Sequence, residues 1–161
     1  MKKLNLQIKG TYFLCLFLPS SQKILIGKLG KIYFKKGYYL YIGKAFGPGG
    51  LKARIKRHLN KNTSKRWHLD YLKEFSELIF IGVIEGIDYE CYLAQILIKD
   101  FSYIKNFGSS DCKCESHLFF NNCWQDFIQK IKKAGINPRI LFNINWYLFR
   151  FCFFLFRNFY C

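Results

Sequence analysis

Hydrophobic positions along the chain fall into short blocks with two different spacings. GTYFLCLFL (10–18) is aromatic and aliphatic almost throughout, which suits a buried strand. Pro19, Ser20 and Ser21 then predict a turn. In KILIGKLGKIYF (23–34), Lys alternates with Ile and Leu around Gly27 and Gly30, the pattern of an edge strand or hairpin. Lys35–Lys36–Gly37 predicts a second turn, and YYLYIGKAF (38–46) another strand. Gly47–Pro48–Gly49–Gly50 cannot continue regular structure, so a helix is predicted to start at Leu51.

Beyond that loop the period lengthens. Leu51, Ile55 and Leu59 recur every fourth residue in LKARIKRHL (51–59), one apolar stripe of a helix. RWHLDYLKEF (66–75) predicts a short helix with Leu69 and Leu72 inward, and ELIFIGVIEG (77–86) a strand closed by Gly86. Asp88 is placed to cap a helix over 89–101, in which Tyr89, Leu93, Ile96 and Leu97 share a face. Residues 106–117 show no period and read as a loop. NCWQDFIQKIKKAG (122–135) predicts a helix with Trp124, Phe127, Ile128 and Ile131 on one side, ended by Gly135 and Pro138. The order predicts an α+β fold: a small, mostly antiparallel central sheet flanked by helices. Residues 1–121 are expected to form the main domain, and 122–161 a C-terminal helix and an aromatic-rich tail.

That tail, ILFNINWYLFRFCFFLFRNFYC (140–161), is different in kind. Arg150 would lie near mid-bilayer in a membrane span, which is costly. The tail therefore reads as packing against the domain or as an interfacial or partner-binding helix before it reads as a span.

Charge narrows the partners. Lys and Arg number 26 against 10 Asp and Glu, a formal net charge of +16. Such an imbalance favours polyanions, with nucleic acid ahead of an anionic membrane surface. Between 51 and 69 there is no acidic residue, and Lys52, Lys56, Arg57, Lys61, Lys65 and Arg66, with Lys44 before them, form the expected phosphate-contacting surface. No pattern for base readout accompanies them. The seven cysteines are odd in number and irregularly spaced. With no convincing signal peptide at the start, they imply free thiols and a reducing, cytoplasmic setting.

Several blocks then share a family pattern. Gly10–Thr11–Tyr12 opens the first strand and Tyr41–Ile42–Gly43 ends a later one. Arg54 follows in a helix after a glycine turn, and Glu90 opens a later helix. With KGTYFL, IGKLG, FKKGYYLYIGKAFGPGGLKARIKRHL, RWHLDYL, ECYLA and FGSSDCKCESHLF, the chain resembles the GIY-YIG nuclease superfamily across residues 9–120. More closely, it resembles an uncharacterised archaeal and bacterial domain family (DUF123-like) found alone or fused to endonuclease III-type glycosylases.

The resemblance implies a GIY-YIG-like fold and an endonuclease that hydrolyses phosphodiester bonds in DNA, in repair or structure processing, with Mg²⁺ or Mn²⁺ as cofactor. A repair protein would be a fitting partner. It further implies that Tyr12, Tyr41 and Arg54 line one side of the sheet and that Glu90 holds the metal. The first motif departs in reading Gly-Thr-Tyr, and the gap between the two tyrosines is long, pointing to an extra hairpin at 22–35. The alternative is a non-catalytic nucleic-acid-binding module with the same fold.

The residue chemistry agrees in part. An Arg offers a planar pair of donors to phosphate oxygens. One carboxylate can hold a divalent ion whose other ligands are water and phosphate. A tyrosine is a poor base unless cations favour its phenolate, and within an aromatic strand it also reads as core. His58 shares a helix face with Arg54, four residues on, and could donate to phosphate or assist proton transfer. His68 and Asp70 could order one another, a metal or a phosphate; a structural role for His68 is equally open. Cys112, Cys114 and His117, with Asp111 beside them and Cys91 brought in by folding, make either a structured thiol loop or a soft metal site.

Overall fold

The computed structural model describes residues 8–60 and 64–142. The central element is β1 (Gly10–Leu18), flanked in antiparallel register by β4 (Gly37–Ala45) and β5 (Glu77–Glu85). Between β1 and β4 the chain makes a separate hairpin of β2 (Gln22–Leu25) and β3 (Lys31–Phe34), joined by a 3-10 turn at Gly27–Leu29. This is the hairpin expected at 22–35. The main sheet is completed by β6 (Ser102–Tyr103) and β7 (Leu118–Asn121) beyond β4, and by β8 (Arg139–Phe142) beyond β5. The order is β6-β7-β4-β1-β5-β8, antiparallel throughout. With α1 (Gly50–Leu59), α2 (His68–Leu72), α3 (Glu90–Leu97) and α4 (Trp124–Lys133), the molecule is α+β, a central sheet flanked by helices.

Side-chain alternation along β1 divides the interior in two. Tyr12, Leu14, Leu16 and Leu18 face one core, which α1, α2 and the β2–β3 hairpin cover with Leu51, Ile55, Leu69, Leu72, Ile24 and Phe34. Phe13 and Cys15 face the other, covered by α3 and α4 through Leu93, Leu97, Phe127 and Ile131. A strand buried on both faces loses the polar–apolar alternation of a surface strand, as the sequence of β1 shows. A bulge between Cys15 and Leu16 shifts the register against β5.

Two rings of β1 lie across glycines of the neighbouring strands. Tyr12 is paired with Gly43, and a Cβ on that glycine would stand 2.5 Å from the Tyr12 ring and hydroxyl. Phe13 is paired with Gly82, where a Cβ would meet the Phe13 ring at 2.0 Å. Each glycine is required by close approach, one on each face of the sheet. At the entry to α1 the requirement is conformational: Gly49 and Gly50 take φ of 79° and 55°.

Several expectations are corrected. Leu59 is exposed, and His58 takes the buried position on α1. At ~100° per residue, position 58 falls about 20° from Leu51 around the axis while 59 falls about 80° away. The helix predicted over 89–101 ends at Leu97. Strands β6 and β7 border a segment read only as loop, and β8 takes the first residues assigned to the tail. Residues 143–161, and the tail readings with them, lie outside the described residues. Among the described residues no helix is long and apolar enough to cross a membrane.

Gly82→Ala should destabilise the protein by about 1–3 kcal/mol, because Phe13 has no free volume to enter. Gly47, with nothing near its would-be Cβ, supplies the control. Urea unfolding checks the pair: Gly47→Ala should stay within about 0.5 kcal/mol of the parent.

Candidate functional site

The site lies where β1, β4, α1 and the first turn of α3 meet. Tyr12 and Tyr41 project from the same face of the sheet, with ring centroids 6.5 Å apart. His58 closes over both, at 5.4 Å from Tyr12 and 6.2 Å from Tyr41. Its Nε2 and the Tyr12 hydroxyl are 2.8 Å apart, a buried hydrogen bond between residues 46 positions apart. His58 Nδ1 is buried and has no hydrogen-bond partner. Burial, helped by Lys73, Arg57 and Arg54, lowers the His58 pKa to about 3 against the pull of Asp70. The imidazole is therefore neutral at neutral pH. Burial likewise raises both tyrosines well above their ordinary value; the charge of Arg54 opposes the rise and that of Glu90 adds to it. Both phenols are protonated.

Trp67, at the entry to α2, organises the two arginines of α1. Arg54 and Arg57 place their guanidinium carbons 4.4 and 4.6 Å from its ring centroid. Arg57 is then held in a two-pronged pair with Asp70, at 3.2 and 2.9 Å. Asp70 also accepts the backbone N–H groups of Arg66 and Trp67. Among the described residues Arg54 has no carboxylate partner, so its donors remain open to an anion. Arg57, assigned to phosphate by its charge, is neutralised within the fold.

Glu90 is positioned by three tethers. The Thr11 hydroxyl donates to Ile87 O at 2.8 Å and accepts from Tyr89 N at 2.7 Å, fixing the approach to α3 onto β1. Asp88, expected to cap the helix, stands one residue before the Tyr89 cap position and accepts from Glu90 N at 3.1 Å. Lys44 N donates to Glu90 Oε1 at 3.1 Å. Glu90 Oε2 is buried, and Lys44 Nζ lies 3.2 Å away in an ion pair. Burial raises the Glu90 pKa, Lys44 opposes this, and Asp111 and Asp88 add to it.

The other sequence-assigned residues separate into groups. Lys52, Lys56, Lys65 and Arg66 are exposed around α1 and α2, with Lys65 paired to Glu74 at 2.8 Å. Lys61 lies outside the described residues. Lys44 is engaged by Glu90. His68 stands apart: its Nδ1 accepts from Gly108 N at 3.1 Å and its ring packs on Phe107, which in turn packs on Tyr41. Its observed contacts pin α2 to the loop after β6, and Asp70 is partnered by Arg57, not by His68. Cys91, Cys112, Cys114 and His117 converge behind Glu90 and form a group that could hold a metal. Trp67 and Thr11 gained no role from the sequence; an Arg-x-x-Arg spacing on one helix face was the available signal for the first.

A family profile described as "Domain of unknown function DUF123" matches residues 11–137, and the chain belongs to that family. No curated protein and no solved structure matches it.

The depressed pKa of His58 has a consequence for stability. In the unfolded chain His58 takes up a proton below pH about 6.5, whereas the folded protein resists it down to about 3. Stability tied to neutral His58 is full above 6.5 and is lost as pH falls through this window, on the order of a few kcal/mol. Urea unfolding from pH 7 to 4 should show a flatter decline for His58→Gln than for the parent, whose other histidines contribute equally to both curves.

Proposed function

Taking membership of this domain family as the premise, we propose that the protein is a divalent-metal-dependent endonuclease of the GIY-YIG kind that hydrolyses phosphodiester bonds in DNA. The observation that carries the reading is the convergence of Arg54, which has no carboxylate partner among the described residues, a buried Tyr12–His58 pair and a buried Glu90 carboxylate met by the Lys44 ammonium. Those groups match the residue types that phosphodiester hydrolysis needs.

Arg54, braced against Trp67, would donate to non-bridging phosphate oxygens and stabilise the charge that grows on them. The exposed Lys52, Lys56 and Arg66 would position the strand through neighbouring phosphates. Glu90 would hold Mg²⁺ or Mn²⁺ through Oε2, with Lys44 yielding or bridging to phosphate. Such an ion, when bound, supplies Lewis-acid polarisation of the phosphoryl group. In the free protein burial holds Tyr12 protonated, so no phenolate stands ready. Tyr12 would instead take a proton from attacking water as it passes its own to His58 Nε2. A phosphate beside the pair makes His58 more basic than it is in the free protein.

One observation favours the second reading, a non-catalytic nucleic-acid-binding module: Lys44 is already paired with Glu90. The test is cleavage of labelled branched, nicked and single-stranded DNA, with matching RNA, in Mg²⁺, Mn²⁺ or EDTA. Metal-dependent products are expected, reduced about 10²-fold or more in Glu90→Ala and Arg54→Ala. Tyr12→Phe, which removes the hydroxyl that meets His58, should slow cleavage while binding persists. Tight binding with no product on any substrate would establish the binding module instead.

A further inference from the structure

The thiol group beside Glu90 has a geometry of its own. Cys91 belongs to the first turn of α3; Cys112 and Cys114 belong to the loop before β7, and His117 closes that loop. Their four ligand atoms lie within 4.8 Å of one another, and Cys112 Sγ is 3.4 Å from His117 Nε2. A tetrahedral zinc ion with about 2.3 Å bonds to sulfur and about 2.0 Å to nitrogen needs ligand–ligand edges of about 3.5–3.8 Å. Contraction by an ångström or less meets that requirement. No disulfide engages the three thiols.

His117 is presented as a ligand. It is fully buried, its N–H donates to Phe107 O at 2.8 Å, and its carbonyl accepts from Ile42 N at 2.9 Å. With the backbone fixed on both sides, Nε2 faces the thiols and Nδ1 faces Glu90 Oε1 at 3.7 Å without a hydrogen bond. One ring nitrogen toward sulfur and the other toward a carboxylate is the arrangement in which outer carboxylates orient metal-bound histidines. The cysteines are half-buried, and a cleft lined by Cys91, Ala94, Ile98 and Cys114 leads to them. An ion therefore has an entry path.

We infer that the chain binds one zinc ion through Cys91, Cys112, Cys114 and His117. Four protein ligands leave no open position, so the ion is structural. It clamps the Cys112–Cys114 loop to the start of α3, next to Glu90. Three thiolates and the ion leave a single negative charge, which Lys44 faces together with the carboxylates of Glu90 and Asp111. The site stands whether or not the chain cleaves nucleic acid.

The full-length chain, produced in zinc-supplemented medium and purified without chelator, should carry about one equivalent of zinc by elemental analysis. Cobalt exchanged into it should give a thiolate charge-transfer band and intense tetrahedral d–d bands. Cys91, Cys112 and Cys114 should resist a thiol reagent, mapped by peptide mass spectrometry, until a chelator strips the metal, while Cys123 reacts throughout. Cys114→Ser should bind zinc at least about tenfold more weakly, and Cys123→Ser should match the parent. A parent chain with no zinc and no cobalt–thiolate band would overturn the site, even if Cys114→Ser fails to fold. So would zinc bound equally by folded Cys114→Ser.

Discussion

The Tyr12 ring lies across Gly43, and much else follows from that contact. Because Gly43 has no Cβ, the ring crosses from β1 to β4 and delivers its hydroxyl to His58 on α1. One residue along, Phe13 crosses Gly82 in the opposite core. A strand whose successive rings are seated on glycines of both neighbours cannot slip by one residue, since a slip would exchange the two cores and set each ring against a Cβ. The register of β1 thus fixes the geometry of the site before any polar contact forms.

The polar contacts then divide the charge of α1. Asp70 accepts from Arg57 and from two backbone amides, which makes it a structural carboxylate with its pKa held down by those donors against the opposing effect of burial. Arg54 shares the Trp67 ring and has no acid partner among the described residues. Of two arginines three positions apart, one neutralises a buried carboxylate and the other keeps its donors. A net charge of +16 cannot distinguish them. The partner, 13 residues further along, does.

What was legible in the sequence follows the length and regularity of each element. The nine-residue strands β1, β4 and β5 and the ten-residue helices α1 and α4 carry enough apolar residues to reveal their period. Strands β6, β7 and β8, of two to four residues, are formed by pairing with a neighbour and carry no period of their own. The same limit applies at the site. Tyr12, Tyr41, Arg54 and Glu90 stood out through a family resemblance, but the Tyr12–His58 hydrogen bond joins segments whose relation only the sheet determines. Thr11 read as a simple departure from a motif; its hydroxyl in fact ties β1 to the loop that carries Glu90.

Glu90 shows how such a site is held together. Burial and the charges of Asp111 and Asp88 disfavour its ionised form, and Lys44 only partly compensates. A carboxylate in that position would be expelled by a fold free to relax. It is retained because its place is fixed several times over: by Thr11 through the preceding loop, by Asp88 at its own amide, by Lys44 at both oxygens, and by Cys91 in the next residue, whose thiol meets the His117 loop. None of these tethers needs Glu90 to be comfortable. Together they keep a buried carboxylate in place with Lys44 as its cation.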